Sequence, residues 1–280
     1  MPDQCLTTTP ASGRTDDVQL NIAAEKILVL RDAFGMLADV EVVAETGSTN
    51  ADLLSRLGEL NKPLLRVALH QTAGRGRAGR SWQSVPGGML MFSLAWPLSR
   101  ETHALMGLPL AVGVAIADVL QALDLPVQLK WPNDILRDGK KLAGILIESA
   151  AKKNGGTWIV AGIGLNLQLP EAFEASLGRA VADAPWLARM DRNALLAHLL
   201  NALAKAFEQF DQHGFSAFQA RWNALHAYAN QEVQIIDHGQ ILQRGIATGV
   251  DVSGRLLLQT LAGQIPVLAG DVSLRLTDAV

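Results

Sequence analysis

The last fifty or so residues differ in character from everything before them, and this change constrains the fold more than any other feature. After Asn230 the sequence consists of short apolar runs separated by His-Gly, Ser-Gly and Ala-Gly pairs. Short strands between closely spaced glycine turns are typical of small sandwiches and barrels. We therefore predict a small, barrel-like all-β domain over residues 229–280. Its predicted strands are 231–236, 241–250, 256–261 and 272–276.

The chain has 280 residues, enough for about two domains at roughly 150 residues each. Residues 1–19 are rich in Thr, Pro, Asp and Ser, and we expect a disordered tail there. Residues 20–228 mix helical and strand-like patterns, which predicts an α+β domain. The predicted helices are 20–37, 49–60, 104–117, 192–210 and 215–228, and the predicted strands are 40–44, 65–71, 89–96, 127–131, 135–137, 141–148 and 158–169.

The charge balance argues against two classes of protein. There are 24 Lys and Arg residues against 27 Asp and Glu, a net charge of −3, whereas dedicated binders of nucleic acid or anionic membranes are strongly basic. The apolar, uncharged segment 104–117 has 14 residues, while a helix needs about 20 to cross a bilayer. We interpret it as a buried core helix, and we expect neither DNA nor a membrane as a partner.

Cysteine usage and the N-terminal segment give the expected compartment. The single cysteine, Cys5, permits no disulfide within the chain. The sequence has no CxxC or HExxH spacing, so it identifies no metal-binding residues, and any metal ligands are unknown. The first residues lack the apolar core of a signal peptide and the arginine-rich composition of a transit peptide. A cytoplasmic location is the expectation.

The most informative segment is the basic loop, residues 71–82, with the sequence QTAGRGRAGRSW. It matches GxGxxG and nearly matches a Walker A loop. Both motifs require a helix after the loop, and here a strand-like run begins at Met89, so we reject both folds. Between residues 61 and 82 there are five cations and no acid: Lys62, Arg66, Arg75, Arg77 and Arg80.

This combination of residues points to an anionic ligand. Glycines let the backbone approach a ligand closely, and guanidinium groups bind phosphate or carboxylate oxygens in pairs. We interpret the basic loop as one that closes over a phosphate ester. For such a loop taken alone, a solvated basic turn is the alternative.

Three further polar clusters favour the ligand-binding interpretation. Thr49 and Asp52 have the form of a capping box, which places residues 48–50 at a helix N-terminus. Residues 130–134, KWPND, end an apolar strand and fit a partly enclosed anion site, with a Pro turn as the alternative. Two glycines in the strand at 162–166 indicate close packing or a ligand nearby.

Five motifs together resemble one family, the biotin protein ligases, also called biotin–[acetyl-CoA-carboxylase] ligases. The resemblance extends from Val40 to the C-terminus, and the pairing of GRGR with KWPND is highly specific. It implies a mixed-sheet catalytic domain with flanking helices, of the class II synthetase-like biotin/lipoate ligase fold, followed by a small SH3-like β-barrel. The motifs are Gly47-Ser-Thr-Asn50, the basic loop, Lys130-Trp-Pro-Asn-Asp134, Lys141-Leu-Ala-Gly-Ile145 and Gly162-Ile-Gly-Leu-Asn166.

The resemblance implies an enzyme that activates biotin with ATP and Mg²⁺ as biotinyl-5′-AMP. It then transfers the biotinyl group to one lysine of a biotin carboxyl carrier protein. Two anions meet in the first step, so positive charge is required, and Arg75, Arg77 and Lys130 are expected to supply it as catalytic residues. Dimers are common in this family, and a homodimer is an expectation that no residue pattern in this sequence requires.

The resemblance also assigns residues to two subsites. The biotin head group, whose ureido group needs donors and acceptors, would contact Ser48, Thr49, Asn50 and Gln71. The rest of the biotin site would consist of Gly74, Arg75, Gly76, Arg77 and Lys130. ATP and the adenylate would contact Arg75, Arg77, Trp82 and Lys130, whereas Asn133, Lys141, Gly144 and Asn166 fit either adenylate-binding or structural positions. For the base that accepts the proton of the acceptor lysine, Asp124 is only a guess. Asp134 fits either a ligand-shell acid or a turn residue.

Family members that also repress transcription carry a winged helix-turn-helix domain ahead of the Gly-Ser-Thr-Asn motif. Here 46 residues precede Gly47, and residues 1–47 contain three bases and eight acids, the wrong charge for DNA. We predict a monofunctional ligase. Two alternatives stay open. One is a lipoate or octanoate ligase or transferase, against which GRGR and KWPND argue, and the other is a non-enzymatic regulator that binds biotin or its adenylate and DNA.

Overall fold

The computed structural model describes residues 21–178, 180–237, 239–270 and 272–277. The expected disordered tail, residues 1–19, lies outside the described residues. The helices are α1 (Ala24–Val29), α2 (Thr49–Arg56), α3 (Leu108–Ala122), α4 (Phe173–Leu177), α5 (Arg192–His213) and α6 (Ser216–Ala224). The strands are β1 (Asp39–Thr46), β2 (Leu64–Gln71), β3 (Met89–Leu98), β4 (Gln128–Lys130), β5 (Asp134–Arg137), β6 (Lys140–Ala151), β7 (Thr157–Asn166), β8 (Glu232–Asp237), β9 (Gln240–Val250), β10 (Leu256–Thr260), β11 (Gly263–Val267) and β12 (Ser273–Leu276).

Seven strands form a mixed sheet in the order β1-β2-β3-β7-β6-β5-β4. β1 and β2 are parallel, and the other neighbouring pairs are antiparallel. β3 and β7 lie in the middle of the sheet, so both are largely buried. β5 and β6 join through Asp138 and Gly139, whose φ angles of 50° and 73° suit a two-residue hairpin turn. The predicted α+β architecture with a mixed sheet is confirmed.

α3 is the central helix of the core. It follows Gly107, has Pro109 in its first turn, and buries ten of its fifteen residues. It packs against α5 on one side and against β6 of the sheet on another. The prediction of a buried core helix is therefore confirmed, although the helix begins at Leu108. Among the described residues, no helix combines the length and the apolar character needed to span a bilayer.

The amphipathic helix predicted over residues 20–37 is wrong in extent. Within its described part, residues 21–37, only α1 and a short 3₁₀ helix at Gly35–Leu37 form. The chain turns at Asp32, whose Oδ1 accepts from the backbone N–H groups of Phe34 and Gly35 at 2.9 and 3.0 Å. An Asx turn of this kind competes with helix continuation, and apolar spacing alone does not reveal it.

The C-terminal strands form an antiparallel sheet in the order β11-β10-β9-β8-β12. The expectation of an all-β unit is confirmed, but the barrel is not closed by hydrogen bonds among the described residues, because β11 and β12 lie at opposite edges. β11 is absent from the predicted strands. It contains Pro266, which argues against a central strand and is tolerated here because β11 is an edge strand.

A buried histidine lies where the two sheets are joined, between α6 and β8. His226 is 5% exposed and its ring packs at a tilt of 36° against Trp222, with centroids 4.7 Å apart. Neither of its ring nitrogens has a hydrogen-bond partner among the described residues. Burial lowers the pKa of His226 from 6.5 to about 4, so the folded protein holds a neutral imidazole at this junction.

We expect the protein to lose stability as the pH falls from 6.5 toward 4. In that window the unfolded chain protonates His226 and the folded protein does not, so a penalty grows to about 3 kcal/mol, while stability is complete above pH 6.5. His226→Phe keeps a ring against Trp222 and should remove this slope from urea-unfolding free energies measured across the window. An equal slope in the variant would contradict the assignment.

Candidate functional site

A cavity of about 390 Å³ opens on one face of the seven-stranded sheet. Its walls come from the N-terminus of α2, the basic loop, β6, β7 and, from the C-terminal sheet, β12. Its volume is in the range of small-molecule sites. Twelve of the fourteen residues assigned to the site from the sequence lie on its wall: Ser48, Thr49, Asn50, Gln71, Arg75, Gly76, Arg77, Trp82, Lys130, Asn133, Lys141 and Gly144.

The N-terminus of α2 forms one end of the cavity. Ser48 is the N-cap residue, but its side chain makes no capping hydrogen bond. Instead, the side chain of Gln71 at the end of β2 accepts from the backbone N–H of Thr49 at 2.8 Å. The predicted capping box is wrong, because Asp52 turns away from the helix end and accepts from Arg66 Nε at 2.6 Å. The cap is therefore a tertiary contact that ties α2 to the sheet.

The basic loop folds back on itself. Arg75 and Ser81 form an isolated antiparallel bridge, and Trp82 N–H donates to the Gly74 carbonyl at 2.9 Å. At the tip, Ala78 has a φ of 53°. β3 follows the loop where the two nucleotide-binding motifs would need a helix, so their rejection is confirmed.

Trp82, at the end of the basic loop, lies flat against two glycines of the sheet. A Cβ at Gly164 would clash with its indole ring, and a Cβ at Gly144 would lie 2.9 Å from Trp82 Cζ3. The ammonium of Lys141 is 5.6 Å from the ring centroid. Trp82 Nε1 is buried and has no hydrogen-bond partner among the described residues. The indole therefore offers an aromatic surface and an unused donor beside the cavity.

The cations on the cavity wall have contacts in the unliganded protein. Arg75 Nη2 donates to Glu148 at 2.8 Å, and Arg77 donates to Asn133 Oδ1 at 3.1 Å and to the backbone carbonyl of Gly270. Lys141 pairs with Asp134 at 2.5 Å, and the Lys130 ammonium lies 5.7 Å from the ring centroid of Tyr228. Arg80 is exposed at the rim.

Two of the five cations between residues 61 and 82 lie outside the site. This stretch therefore contributes three positive charges to the cavity wall and not the five counted in the sequence. Lys62 pairs with Asp39 at 2.7 Å. Arg66 bridges Asp52 and Glu41 at 2.6 and 2.8 Å, so that α2 is anchored to β1 and β2. All three acids lie outside the counted stretch of the chain, which is why a local count of charges missed them.

Two residues assigned to the site lie elsewhere. Gly74 is buried within the basic loop, where a Cβ would clash with the Trp82 carbonyl oxygen, so its observed contact is structural. Asn166 lies behind Trp82 and donates to the Ala182 carbonyl at 2.8 Å, and its own Oδ1 has no partner among the described residues. The guessed base Asp124 is in an exposed turn after α3 and is not on the cavity wall.

Residues without a motif also reach the site. Tyr228 and Arg275 line the cavity from the C-terminal side. Burial and the carboxylate of Asp134 raise the pKa of Tyr228. Ser93 is fully buried in β3 and lines the cavity floor. A lone serine within the apolar run Met89–Leu98 is a signal that could have singled it out.

The sequence matches the model of the biotin/lipoate A/B protein ligase family over residues 41–166 and that of the biotin protein ligase C-terminal domain over residues 228–275. The bifunctional ligase/repressor BirA of Escherichia coli (strain K12) is 35% identical over 277 residues, which cover 96% of this chain and 83% of that protein. The biotin–[acetyl-CoA-carboxylase] ligase of Mycobacterium tuberculosis is 36% identical over 241 residues, 83% of this chain and 88% of that protein.

A solved structure shares the fold. The biotin protein ligase from Aquifex aeolicus in complex with biotin and ATP superposes with a TM-score of 0.69 at 28% identity. The match covers 85% of this chain and 99% of that one.

We expect Arg66 and Arg80, two arginines of the same basic stretch, to behave oppositely on substitution. Arg66→Ala should lower the free energy of unfolding by about 2 kcal/mol, because the partly buried Asp52 loses its ion pair and Glu41 retains Arg56 alone. Exposed Arg80→Ala should change it by less than about 0.5 kcal/mol. Urea denaturation measures both, and an Arg66→Ala protein as stable as the Arg80→Ala protein would disprove the anchoring role.

Proposed function

The chain belongs to the biotin/lipoate A/B protein ligase family, and from this we infer that it is a biotin–[acetyl-CoA-carboxylase] ligase. It uses ATP to activate biotin as biotinyl-5′-AMP and transfers the biotinyl group to a lysine of a biotin carboxyl carrier protein. One observation carries this conclusion for the site itself. The cavity brings the Ser-Thr-Asn segment, the GRGR loop and the KWPND segment together, although they are far apart in the sequence.

For the biotin end of the cavity we propose Ser48, Thr49, Asn50 and Gln71. Their side chains carry hydroxyl and amide groups, which supply the donors and acceptors that a ureido group requires. All three residues of the α2 segment are 3–5% exposed, so their polar atoms have few competing waters. A small polar head group would recover these hydrogen bonds in a dry environment.

For the adenylate end we propose Trp82 as the surface for the nucleotide and Arg75, Arg77, Lys130 and Lys141 as the cations. The biotin carboxylate oxygen attacks the α-phosphorus, and the bond to the departing pyrophosphate breaks, so negative charge accumulates between the two ligands. Cations fixed beside that point lower the barrier. The position of Lys141 beside Trp82 favours it as a phosphate contact in addition to Lys130. Asn133 would orient Arg77.

Mg²⁺ would enter with ATP in this proposal. No cluster of three or more His, Cys, Asp or Glu residues is found in the part of the chain that the structure describes. Asp134 is the one described carboxylate on the cavity wall. Mg²⁺ commonly binds through one or two carboxylates together with substrate phosphates, and it offsets phosphate charge when bound. A single acid beside the phosphates is compatible with that mode.

In the transfer step the acceptor amine attacks the acyl carbon of the mixed anhydride, and the bond to AMP breaks. The amine must lose a proton, and we propose Asp134 as its acceptor in place of the guessed Asp124. Water would hydrolyse the same anhydride, so a loop that covers the ligand protects the intermediate.

Three broader expectations remain predictions. We propose a ligase without repressor activity, because residues 1–47 carry three bases and eight acids and would be repelled by DNA. A cytoplasmic location is expected for an enzyme that consumes ATP. We propose the edge strand β1 as the place where a homodimer pairs, because it lies at one end of the seven-stranded sheet.

The function is tested by incubating a biotin carboxyl carrier domain with this protein, ATP, Mg²⁺ and biotin. Mass spectrometry should show one biotinyl group on one lysine, and no addition when ATP is left out. ATP–pyrophosphate exchange should depend on biotin and not on lipoate or octanoate. Exchange that occurs with lipoate and not with biotin would make lipoate the substrate in place of biotin.

Arg77→Ala should reduce adenylate formation or retention in single-turnover experiments by about 100-fold, because the loop loses a guanidinium that binds phosphate oxygens. Arg80→Ala, a rim arginine of the same loop, is the comparison and should lose far less. A single-turnover rate for Arg77→Ala near that of the unmodified protein would remove Arg77 from the proposed site.

A further inference from the structure

A continuous chain of hydrogen bonds runs behind the α2 end of the cavity and includes two residues with no role so far, Ser93 and Glu148. Thr49 Oγ1 and Ser93 Oγ are 2.6 Å apart, and Ser93 Oγ donates to Asn50 Oδ1 at 2.6 Å. Asn50 Nδ2 then donates to Glu148 Oε2 at 3.0 Å. The other Glu148 oxygen accepts from Arg75 at 2.8 Å. The chain therefore ends in a carboxylate.

The members of this chain have little freedom to find other partners. Ser93 is 0% exposed, and Thr49 and Asn50 are each 3% exposed. Asn50 also lies directly against Gly162, where a Cβ would clash with its Oδ1. Water therefore competes poorly for these bonds, and each hydroxyl hydrogen must go to a neighbour in the chain.

A carboxylate at one end gives the chain a direction. It can only accept, so it takes the amide hydrogens of Asn50, and the Asn50 oxygen then faces Ser93. Ser93 must donate its single hydrogen to that oxygen and can only accept from Thr49. The Thr49 hydrogen therefore lies between the two hydroxyl oxygens, which are 2.6 Å apart, and it leaves the Thr49 lone pairs available.

Without this direction the chain could reverse. If the Asn50 amide flipped, its nitrogen would donate to Ser93, and Ser93 would donate to Thr49 Oγ1 in turn. One acceptor position of Thr49 would then be filled from inside the protein. Hydrogen-bond chains of this kind have two senses, and a fixed acceptor at one end selects between them.

We propose that Glu148 is a positioning residue for ligand recognition. It acts through Asn50 and Ser93 to keep Thr49 Oγ1 as an acceptor toward the cavity. The ligand group matched to this acceptor is an N–H donor, and given the function proposed above, on which this inference rests, that donor is a ureido N–H of biotin. Arg75 balances the charge of Glu148, and the direction of the chain does not depend on it.

Two variants break the chain at different points. Glu148→Gln keeps the size of the side chain and introduces an amide that can also donate, so Asn50 can flip. Ser93→Ala removes the link between Asn50 and Thr49. By calorimetric titration with biotin in the absence of ATP, each variant should bind about tenfold more weakly, the effect of one misdirected or missing hydrogen bond.

The double variant separates this proposal from a local packing effect. If both residues act through one chain, Ser93→Ala/Glu148→Gln should bind about tenfold more weakly and not about a hundredfold, because the second change finds the chain already broken. Losses that multiply would overturn the proposal, as would a Glu148→Gln protein that binds as tightly as the unmodified one. Should Glu148→Gln not fold, Glu148→Ala takes its place in the single and double variants, and biotin binding that Glu148→Ala leaves unchanged overturns the proposal.

The role of Arg75 is tested in the same way. The loss caused by Glu148→Gln should persist in an Arg75→Ala background, and its disappearance would show that Glu148 acts through the loop. Glu45→Gln is the charge-matched control. It removes a carboxylate of β1 that pairs with His70 of β2, and it should bind biotin normally. If the unmodified protein binds no biotin, the proposed function fails, which is distinct from normal binding that Glu148→Gln leaves unchanged.

Discussion

The missing side chains of three glycines on β6 and β7 are the constraint on which the site depends. Gly144 and Gly164 are directly opposite each other in the sheet, and together they leave a flat surface on which Trp82 lies. Gly162 leaves the space in which Asn50 packs. Glycine weakens a strand interior, and these three glycines lie where another group must approach the backbone closely. The loop and the α2 end reach the sheet only because these positions lack a Cβ.

The charges of the protein fall into two kinds, which the ligand would affect differently. Arg66 is 17% exposed in its side chain and bridges two acids, so it is part of the scaffold. Arg75 is 48% exposed in its side chain, and its pair with Glu148 is the kind of partly solvated contact that contributes about 0–1 kcal/mol. An anionic ligand can replace such a contact at little cost. Arg75 is therefore held near the cavity without being committed to its internal partner.

Local patterns predicted what local chemistry decides. The Asp138-Gly139 turn, the buried helix α3 and the absence of a helix after the basic loop all follow from neighbouring residues. The failures involve partners distant in sequence. Gln71, at the end of β2, caps α2, and Arg66 pairs with acids on β1 and α2. Asn166 carries a family motif and lies behind Trp82, outside the main cavity. The motifs placed the site, and only the fold shows which motif residues face it.

The catalytic part and the C-terminal sheet both contribute to the cavity wall. Val272, Ser273 and Leu274 contribute to its wall, and Arg77 of the basic loop donates to the backbone of Gly270. The Trp131 indole of the KWPND segment donates to the Gly254 carbonyl at 3.2 Å. The domain boundary that we propose near residue 228 separates two sheets, and residues from both sides of this boundary line the cavity. The Arg77 contact ties the basic loop to the segment that leads into β12, so a rearrangement of that loop would involve the C-terminal sheet as well.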